Sequence, residues 1–297
     1  MSGACTICWF LLGVGCLLLG AFFLWQWWRS CGGMWNAVLI GILPVCMMVI
    51  IALWLRQTEI AVAILLGTVG INLALIGLIN SFSGLRTSQS YWSNSLSLTM
   101  ALGACLLSAH CAVIGIFSGL ALLLVGIVAV WQELNKVKHD KSNDSQLRKS
   151  LKISWQKWLI LLLSISVVIV GCCLLLWQRM LISAVLSWSL SLFAIVLALL
   201  MGMLRLTGLR RNCPVHNLKL LHGLWWENVL LVCFGLGLMA IFLGGIRLAQ
   251  SITLVVLPWL MGIALLTLSA MFLPKKTARI WNSLIVVLYI FLIICLF

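Results

Sequence analysis

The segment T-E-I-A-V-A-I-L-L-G-T-V-G-I-N, from Thr58 to Asn72, decides how this chain folds. It is a long apolar run that carries Glu59, Thr68 and Asn72 among its apolar residues. Similar runs recur along the chain, which is 64% hydrophobic and 8% charged, whereas soluble domains average about 25% charged residues. Because the runs are continuous and not alternating, they predict helices and not strands. The sequence therefore predicts an all-α polytopic membrane protein.

The net charge of +14 does not indicate a nucleic-acid partner, because the basic residues lie between the hydrophobic runs, where they set membrane topology. Most of the twelve cysteines fall inside the runs and behave there as small apolar residues. Cys213, His216 and His222 do not have the spacing of a standard zinc site. We expect the lipid bilayer as the surroundings, no metal site, no cofactor and no enzymatic activity. The sequence names no protein partner.

The hydrophobic runs predict about ten transmembrane helices. Spans four and five are separated by little more than His110, and a run of about 40 residues is too long for one helix in a hydrocarbon core of about 30 Å. A tight turn near His110 is therefore expected. The predicted spans are 6–27, 34–55, 59–80, 93–109, 113–134, 158–178, 183–204, 219–242, 251–273 and 280–297.

The basic residues predict the orientation of these spans. With ten spans, sixteen of the 19 lysines and arginines fall on the side that follows odd-numbered spans, and only Arg56, Arg179 and Arg247 fall on the other side. Positive residues collect on the cytoplasmic side of membrane proteins. We therefore expect an inner (plasma) membrane protein with both termini outside the cytoplasm.

The long polar segment 135–157 divides the chain into a first half, 1–134, and a second half, 158–297. Its lysines and arginines could attract anionic lipid headgroups, or the segment could be only a cytoplasmic linker that anchors topology. Five spans in each half place the halves in opposite orientations, as in an inverted-repeat transporter. The third span of each half carries the pattern G-x-x-x-x-N, at Gly67 to Asn72 and at Gly223 to Asn228.

These features resemble the calcium/cation antiporter superfamily, the sodium/calcium exchanger-like proteins. "IGILPV", Ile40 to Val45, falls where the family has G-T-S-L-P-E, and Pro44 precedes Gly67 by 23 residues, as the family's spacing requires. "EIAV", from Glu59 to Val62, resembles the family's acidic residue followed by an apolar run, and "GTVGIN" resembles its G-S-N-I-x-N. The resemblance implies two inverted five-helix repeats, both termini outside, and cation antiport.

The same comparison shows that the ion-binding motifs are degenerate. Val45 stands where the family places an ion-binding glutamate, and Thr68-Val69 replaces its Ser-Asn pair. In the second half the matching acidic position falls near Leu200-Met201. Calcium requires several oxygen ligands, usually including carboxylates. Ordinary sodium/calcium exchange is therefore not expected.

The remaining polar residues supply the candidates for a transport path. Glu227 lies roughly 10 Å into span eight by helix rise, where a carboxylate is costly unless it is protonated, paired or hydrated. Alternatively, the Glu227 carboxyl lies near the membrane surface, with Trp225 and Trp226 as headgroup anchors. The full set of candidates is Glu227, Asn228, Thr68, Asn72, Pro44 and Glu59.

Three of these candidates have a simpler alternative. Thr68 and Asn72 share one helix face and can line a cavity or hydrogen-bond to a neighbouring helix. Glu59 can be an ordinary acidic residue at a helix start. The sequence therefore predicts a secondary transporter that moves a cation or small solute by alternating access, with a monovalent cation or a proton as the ion. The alternative is a membrane scaffold or partner-binding subunit that kept the exchanger fold and lost the ion site.

Overall fold

The computed structural model describes residues 3–31, 34–83, 92–109, 112–139, 155–177, 193, 195–199, 202 and 214–296. Within these ranges the chain forms nine long helices. Two of them, α7 and α8, change part of their length to the wider π-helical geometry. The helices are α1 (Gly3–Cys31), α2 (Met34–Trp54), α3 (Thr58–Ser83), α4 (Trp92–Ala109), α5 (Ile116–His139), α6 (Trp155–Trp177), α7 (Pro214–Val229, continued by Leu230–Leu236 and Gly237–Phe242), α8 (Ile252–Val256, continued by Leu257–Ala270) and α9 (Lys275–Leu296).

These helices confirm the predicted all-α membrane architecture of about ten spans. Seven of them are long and apolar enough to cross a membrane, and α2 and α4 contain shorter apolar stretches. Predicted span 183–204 is described only at residues 193, 195–199 and 202, which are helical. The predicted turn near His110 falls where α4 ends and before α5 begins, although residues 110 and 111 lie outside the described ranges. Helix α5 continues to His139, inside the segment predicted as linker.

The outer surface of the helices is apolar. Leu11, Leu19, Leu124, Leu163 and Phe242 are all exposed, and other large apolar residues line the same outward faces. Soluble proteins rarely expose apolar patches of this extent, whereas lipid-facing helices require them. The chain is therefore a multi-pass membrane protein.

Helices α1 and α6 show that the two halves run in opposite directions. A Cβ built on Gly13 would contact Leu175, and one built on Gly20 would contact Val168. Higher numbers in α1 therefore face lower numbers in α6, which makes the two helices antiparallel. Between them Gly171 packs directly on the α1 backbone, where its Cβ would lie 2.7 Å from the nitrogen of Leu17. The first and sixth spans are equivalent positions of two five-helix repeats. When the two repeats are inverted relative to each other, these spans must run antiparallel, as α1 and α6 do.

Helices α3 and α7 form the centre of the bundle and repeat this arrangement. Every residue of α3 from Ile60 to Gly77 is buried, as is the stretch of α7 from residue 220 to residue 229. Leu65 of α3 lies against Gly235 of α7, and Asn72 of α3 lies against Asn228. These contacts make α3 and α7 antiparallel as well. The third span of each repeat therefore lies at the interface between the two halves.

A short antiparallel strand pair, which the sequence did not predict, joins two of the loops. Strand β1 (Val113–Ile114), between α4 and α5, pairs with β2 (Ile246–Arg247), between α7 and α8. Loops that hydrogen-bond in this way lie on the same side of the membrane. An even number of membrane crossings must separate the two loops. Four spans lie between residues 114 and 246, namely α5, α6, the predicted seventh span and α7.

We predict that Gly171→Ala destabilises the protein, whereas Gly15→Ala does not. A methyl group at Gly171 would push apart the α1 and α6 backbones, and such overpacking costs about 1–3 kcal/mol. A Cβ at Gly15, also in α1, meets no other atom within 4 Å. Thermal unfolding of the purified protein in detergent, followed by tryptophan fluorescence, measures the difference. Equal melting temperatures for the two variants would contradict the close α1–α6 contact.

Candidate functional site

Three polar side chains meet where α3 and α7 cross. The Nδ2 atom of Asn72 donates to Oε2 of Glu227 at 3.2 Å and to Oδ1 of Asn228 at 3.0 Å. Glu227 is 4% exposed, and both asparagines are fully buried. The two asparagines end the two G-x-x-x-x-N patterns, so the same position of each repeat contributes one amide. Buried polar groups in a membrane protein are stable only when they are paired in this way.

The local geometry of α7 changes directly after this cluster. Residues Leu230–Leu236 form a π-helical segment, in which each turn holds an additional residue. Gly235 in this segment allows α3 to approach, because a Cβ there would lie 3.2 Å from Leu65. Widened turns of this kind occur often beside functional sites, since they redirect side chains without ending the helix.

Helix α2 forms the wall of the site that faces Glu227. The carboxyl group of Glu227 occupies the space beside Gly41, where a built Cβ would overlap Oε1 and lie 2.7 Å from Cδ. Pro44 is buried one turn further along α2. Proline has no backbone N–H and cannot donate to the carbonyl four residues earlier, that of Ile40. The predicted candidate Pro44 therefore lies about one turn beyond the α2 residue that contacts the carboxyl group.

Thr68 is buried one turn from Asn72, but its hydroxyl donates to the carbonyl oxygen of Ile64 at 2.7 Å. This hydrogen bond lies within α3, whereas the alternative for Thr68 was a hydrogen bond to a neighbouring helix. Glu59 is different: it is exposed in the first turn of α3. Thirteen residues separate it from Asn72, which is about 20 Å along a helix. The structure does not bring Glu59 to the cluster, because the helix start holds it near the surface.

The interpretation of Trp225 and Trp226 as headgroup anchors is wrong. Both side chains are fully buried, and so is the segment that contains them. The same burial excludes a Glu227 carboxyl that reaches the membrane surface. The sequence pattern was misleading because tryptophan pairs at span ends usually mark the interface, whereas here the helix α7 is surrounded by other helices over this length.

A second buried polar contact was not predicted. Nε2 of His222 in α7 donates to Oε1 of Glu133 in α5 at 3.0 Å, and the two residues are 9% and 7% exposed. In the sequence, Glu133 lies two residues before the segment predicted as linker, and His222 lies near the start of predicted span eight. The only available signal was that each is a rare ionisable residue within or beside an apolar run. His222 precedes Glu227 by five residues, so the two polar sites lie on one helix.

Two of the positions that the resemblance assigns to ion ligands carry no oxygen-bearing side chain here. Val45 and Val69 are both buried and apolar. Leu200 and Met201, the matching positions of the second half, lie outside the described residues. In the described part of the chain, no group of three or more histidine, cysteine, aspartate or glutamate side chains could hold a metal ion. The cluster thus offers one carboxylate and two amides.

Comparison with solved structures shows that the chain has the exchanger fold. It is similar to YfkE, with a TM-score of 0.69 and 14% identity over 97% of this chain and 91% of that one. It is also similar to the sodium-calcium exchanger NCX_Mj, with a TM-score of 0.65 and 16% identity over 98% of both chains. No family sequence model and no curated protein sequence matches the chain. The exchanger fold, which the resemblance of the segment Pro44 to Asn72 implied, is confirmed.

We predict that His222→Phe destabilises the protein more than the double variant His222→Phe, Glu133→Leu. The single change leaves the buried Glu133 carboxyl without this donor, which costs about 1–3 kcal/mol. The double change replaces both polar groups by apolar ones, which is often nearly neutral. Thermal unfolding in detergent tests this difference. If the double variant loses as much stability as the single changes His222→Phe and Glu133→Leu do together, the contact between His222 and Glu133 contributes nothing to stability.

Proposed function

We propose that this protein is a secondary transporter that binds a monovalent cation or a proton at Glu227, Asn228 and Asn72. The observation that carries the proposal is the meeting of one carboxyl and two amide groups at the crossing of α3 and α7. In an inverted-repeat transporter the substrate and coupling-ion sites lie near the bilayer midplane, at the interface of the repeats. The more general function, movement of a cation or small solute by alternating access, is supported by the same position of the cluster between the repeats.

The chemistry of the cluster supports an ion as the ligand. A carboxylate inside a membrane is stable when it takes up a proton, binds a cation or pairs with another group. Carboxylate and amide oxygens are ligands that hard cations prefer. Nδ2 of Asn228 is buried and has no hydrogen-bond partner among the described residues. The Asn228 amide can therefore rotate without breaking a hydrogen bond from its Nδ2 atom.

The number of oxygen ligands argues for a monovalent ion. Calcium takes six to eight oxygen ligands, usually from several carboxylates. Glu227 is the one carboxylate of this cluster, and Val45 and Val69 supply no ligand where the exchanger family would have them. A single carboxylate can be neutralised by one proton or one monovalent cation. Sodium or proton binding therefore fits the residues better than calcium binding.

The arrangement of helices supports alternating access. Helices α3 and α7 cross at the cluster and belong to repeats of opposite direction, so rocking of one repeat against the other can open the site to either side. Helix α7 also carries His222, about 7.5 Å from Glu227 along the axis. The contact of His222 with Glu133 lies on the side that the basic residues predict to be cytoplasmic. We place the protein in the inner (plasma) membrane with both termini outside the cytoplasm.

A second candidate function is a membrane scaffold or partner-binding subunit that does not transport. It is favoured by the buried valines Val45 and Val69, which fill positions that would be oxygen ligands in an exchanger. In this function the hydrogen bonds of Asn72 would only join the two halves. Both functions retain the fold, so a measurement of ion movement separates them.

We predict that Glu227→Gln strongly slows ion movement, whereas Glu59→Gln does not. The substitution removes a charge and a titratable group from the cluster, and we expect at least a roughly tenfold lower rate, since a group that binds the ion directly contributes about 1.5–3 kcal/mol. Glu59 undergoes the same chemical change at an exposed helix start. Flux into proteoliposomes is measured under imposed sodium, proton and calcium gradients.

Two outcomes of this experiment would contradict the proposal. Equal rates for the wild type and Glu227→Gln would exclude Glu227 as the ion-binding group. No movement of any of the three ions by folded wild-type protein would exclude transport of these ions and support the scaffold function. Monodisperse elution in detergent confirms that each reconstituted sample is folded.

We predict that Gly41→Ala impairs transport more than Gly223→Ala does. The added methyl group would overlap Oε1 of Glu227 and displace the end of this flexible side chain from the cluster. The matched control is Gly223→Ala, where the nearest atom outside α7 to a built Cβ is a carbon of Val38 at 3.8 Å. The same flux assay is combined with thermal unfolding. Unchanged flux in Gly41→Ala would show that the position of the Glu227 carboxyl does not matter for transport.

A further inference from the structure

A cavity opens between the end of α3 and the beginning of α9, away from the candidate ion site. It has a volume of about 470 Å³. Helix α3 is near its last residue here and α9 is in its first turns, so the cavity lies near one membrane surface. By the distribution of basic residues this is the side predicted to be cytoplasmic. The lining residues are Leu78, Ser81, Arg279, Ser283 and Val286.

The polar residues of the cavity converge from both helices. The hydroxyl oxygens of Ser81 and Ser283 are 3.3 Å apart across the α3–α9 contact. Ser81 donates to the carbonyl oxygen of Gly77 at 2.9 Å, and Ser283 donates to that of Arg279 at 3.1 Å. Such hydroxyl groups rotate readily. Each can donate to a ligand instead, because the helical carbonyl that it leaves also accepts a backbone hydrogen bond in an α-helix.

The charge around the cavity is positive. Arg279 is exposed in the second turn of α9, and Lys276 is exposed one turn before it. Neither α9 nor the part of α3 after Glu59 contains an acidic residue. An arginine that lines a cavity together with two hydroxyl groups, with no carboxylate on either helix near it, is suited to bind an anion with several oxygen acceptors. Phosphate is such an anion, and arginine binds it with two parallel hydrogen bonds.

The apolar residues of the cavity lie deeper than the polar ones. Leu78 precedes Ser81 by about one turn of α3, and Val286 follows Ser283 by about one turn of α9, so both are displaced toward the interior of the membrane. The cavity therefore has a polar rim at the surface and an apolar wall below it. A phospholipid has the same order of groups, since its phosphate lies above its acyl chains. A free phosphate ion would leave the apolar wall uncovered.

We propose that this cavity binds the phosphate group of an anionic phospholipid from the surrounding leaflet. Arg279 pairs with the phosphate, Ser81 and Ser283 donate hydrogen bonds to its oxygens, and Leu78 and Val286 contact the first carbons of an acyl chain. Basic pockets between transmembrane helices bind acidic headgroups in this way. The proposal rests on the α3–α9 contact and is independent of transport.

The test compares lipid binding by Arg279→Gln and Lys276→Gln in the full chain. Phosphatidylglycerol or phosphatidylcholine is added to the delipidated protein in detergent, and bound lipid is measured by native mass spectrometry. We expect the wild type to prefer phosphatidylglycerol, and Arg279→Gln to bind it about tenfold more weakly, as for the loss of a charge-assisted hydrogen bond. Lys276→Gln removes the same charge from the same surface without lining the cavity, and should bind within about twofold of the wild type, as expected for an exposed charge.

A second variant, Ser283→Leu, fills the cavity without changing the net charge and should also lower binding. Equal effects of Arg279→Gln and Lys276→Gln would overturn the proposal, because they would indicate diffuse surface charge. Binding of phosphatidylcholine as tight as that of phosphatidylglycerol would also overturn it. Competition by inorganic phosphate at low millimolar concentration, with no preference between the lipids, would assign the cavity to free phosphate instead. Retained thermal stability of each variant confirms that the cavity is otherwise intact.

Discussion

The hydrogen bonds of Asn72 with Glu227 and Asn228 are the contact on which the centre of this bundle depends. They lie between α3 and α7, the two most buried of the seven membrane-length helices in the described ranges. In lipid the hydrophobic effect does not drive helices together, so close packing and polar contacts must hold them. A buried amide or carboxyl group without its partner would be costly at this depth. The central helices are therefore fixed in register by the same groups that form the candidate site.

Inversion of the repeat explains why one contact can collect matching residues from both halves. Equivalent helices pack antiparallel, α1 with α6 and α3 with α7, as the glycine and asparagine contacts show. An antiparallel pair brings equivalent positions together only near its crossing point. Asn72 and Asn228 are at that point, so each repeat supplies one amide. The carboxyl of Glu227 has no counterpart in α3, where the equivalent position is Ile71, and the site is therefore asymmetric in charge.

The sequence predicted the features that depend on local pattern. Apolar runs identified the spans, and the spacing of Pro44, Gly67 and Asn72 identified the fold. The two G-x-x-x-x-N segments lie on the two helices that form the centre of the bundle. Features that depend on contacts between distant helices were missed: the His222–Glu133 contact, the depth of the tryptophans before Glu227, and the strand pair between two loops. The hydrophobic pattern of a single helix does not show which other helix packs against it.

A site with one carboxylate has a consequence for the kind of transport it can support. If Glu227 is ionised and empty, the cluster carries a negative charge, and enclosing that charge between α2, α3 and α7 is costly. Uptake of one proton or one monovalent cation neutralises it and lowers this cost. In the proposed transporter, the loaded protein would therefore change its access from one side of the membrane to the other more readily than the empty one. A carrier that reorients only when loaded exchanges ions across the membrane. Under the proposed function, the single carboxylate would therefore be sufficient for exchange of a monovalent ion, although Val45 and Val69 supply no ligands for calcium.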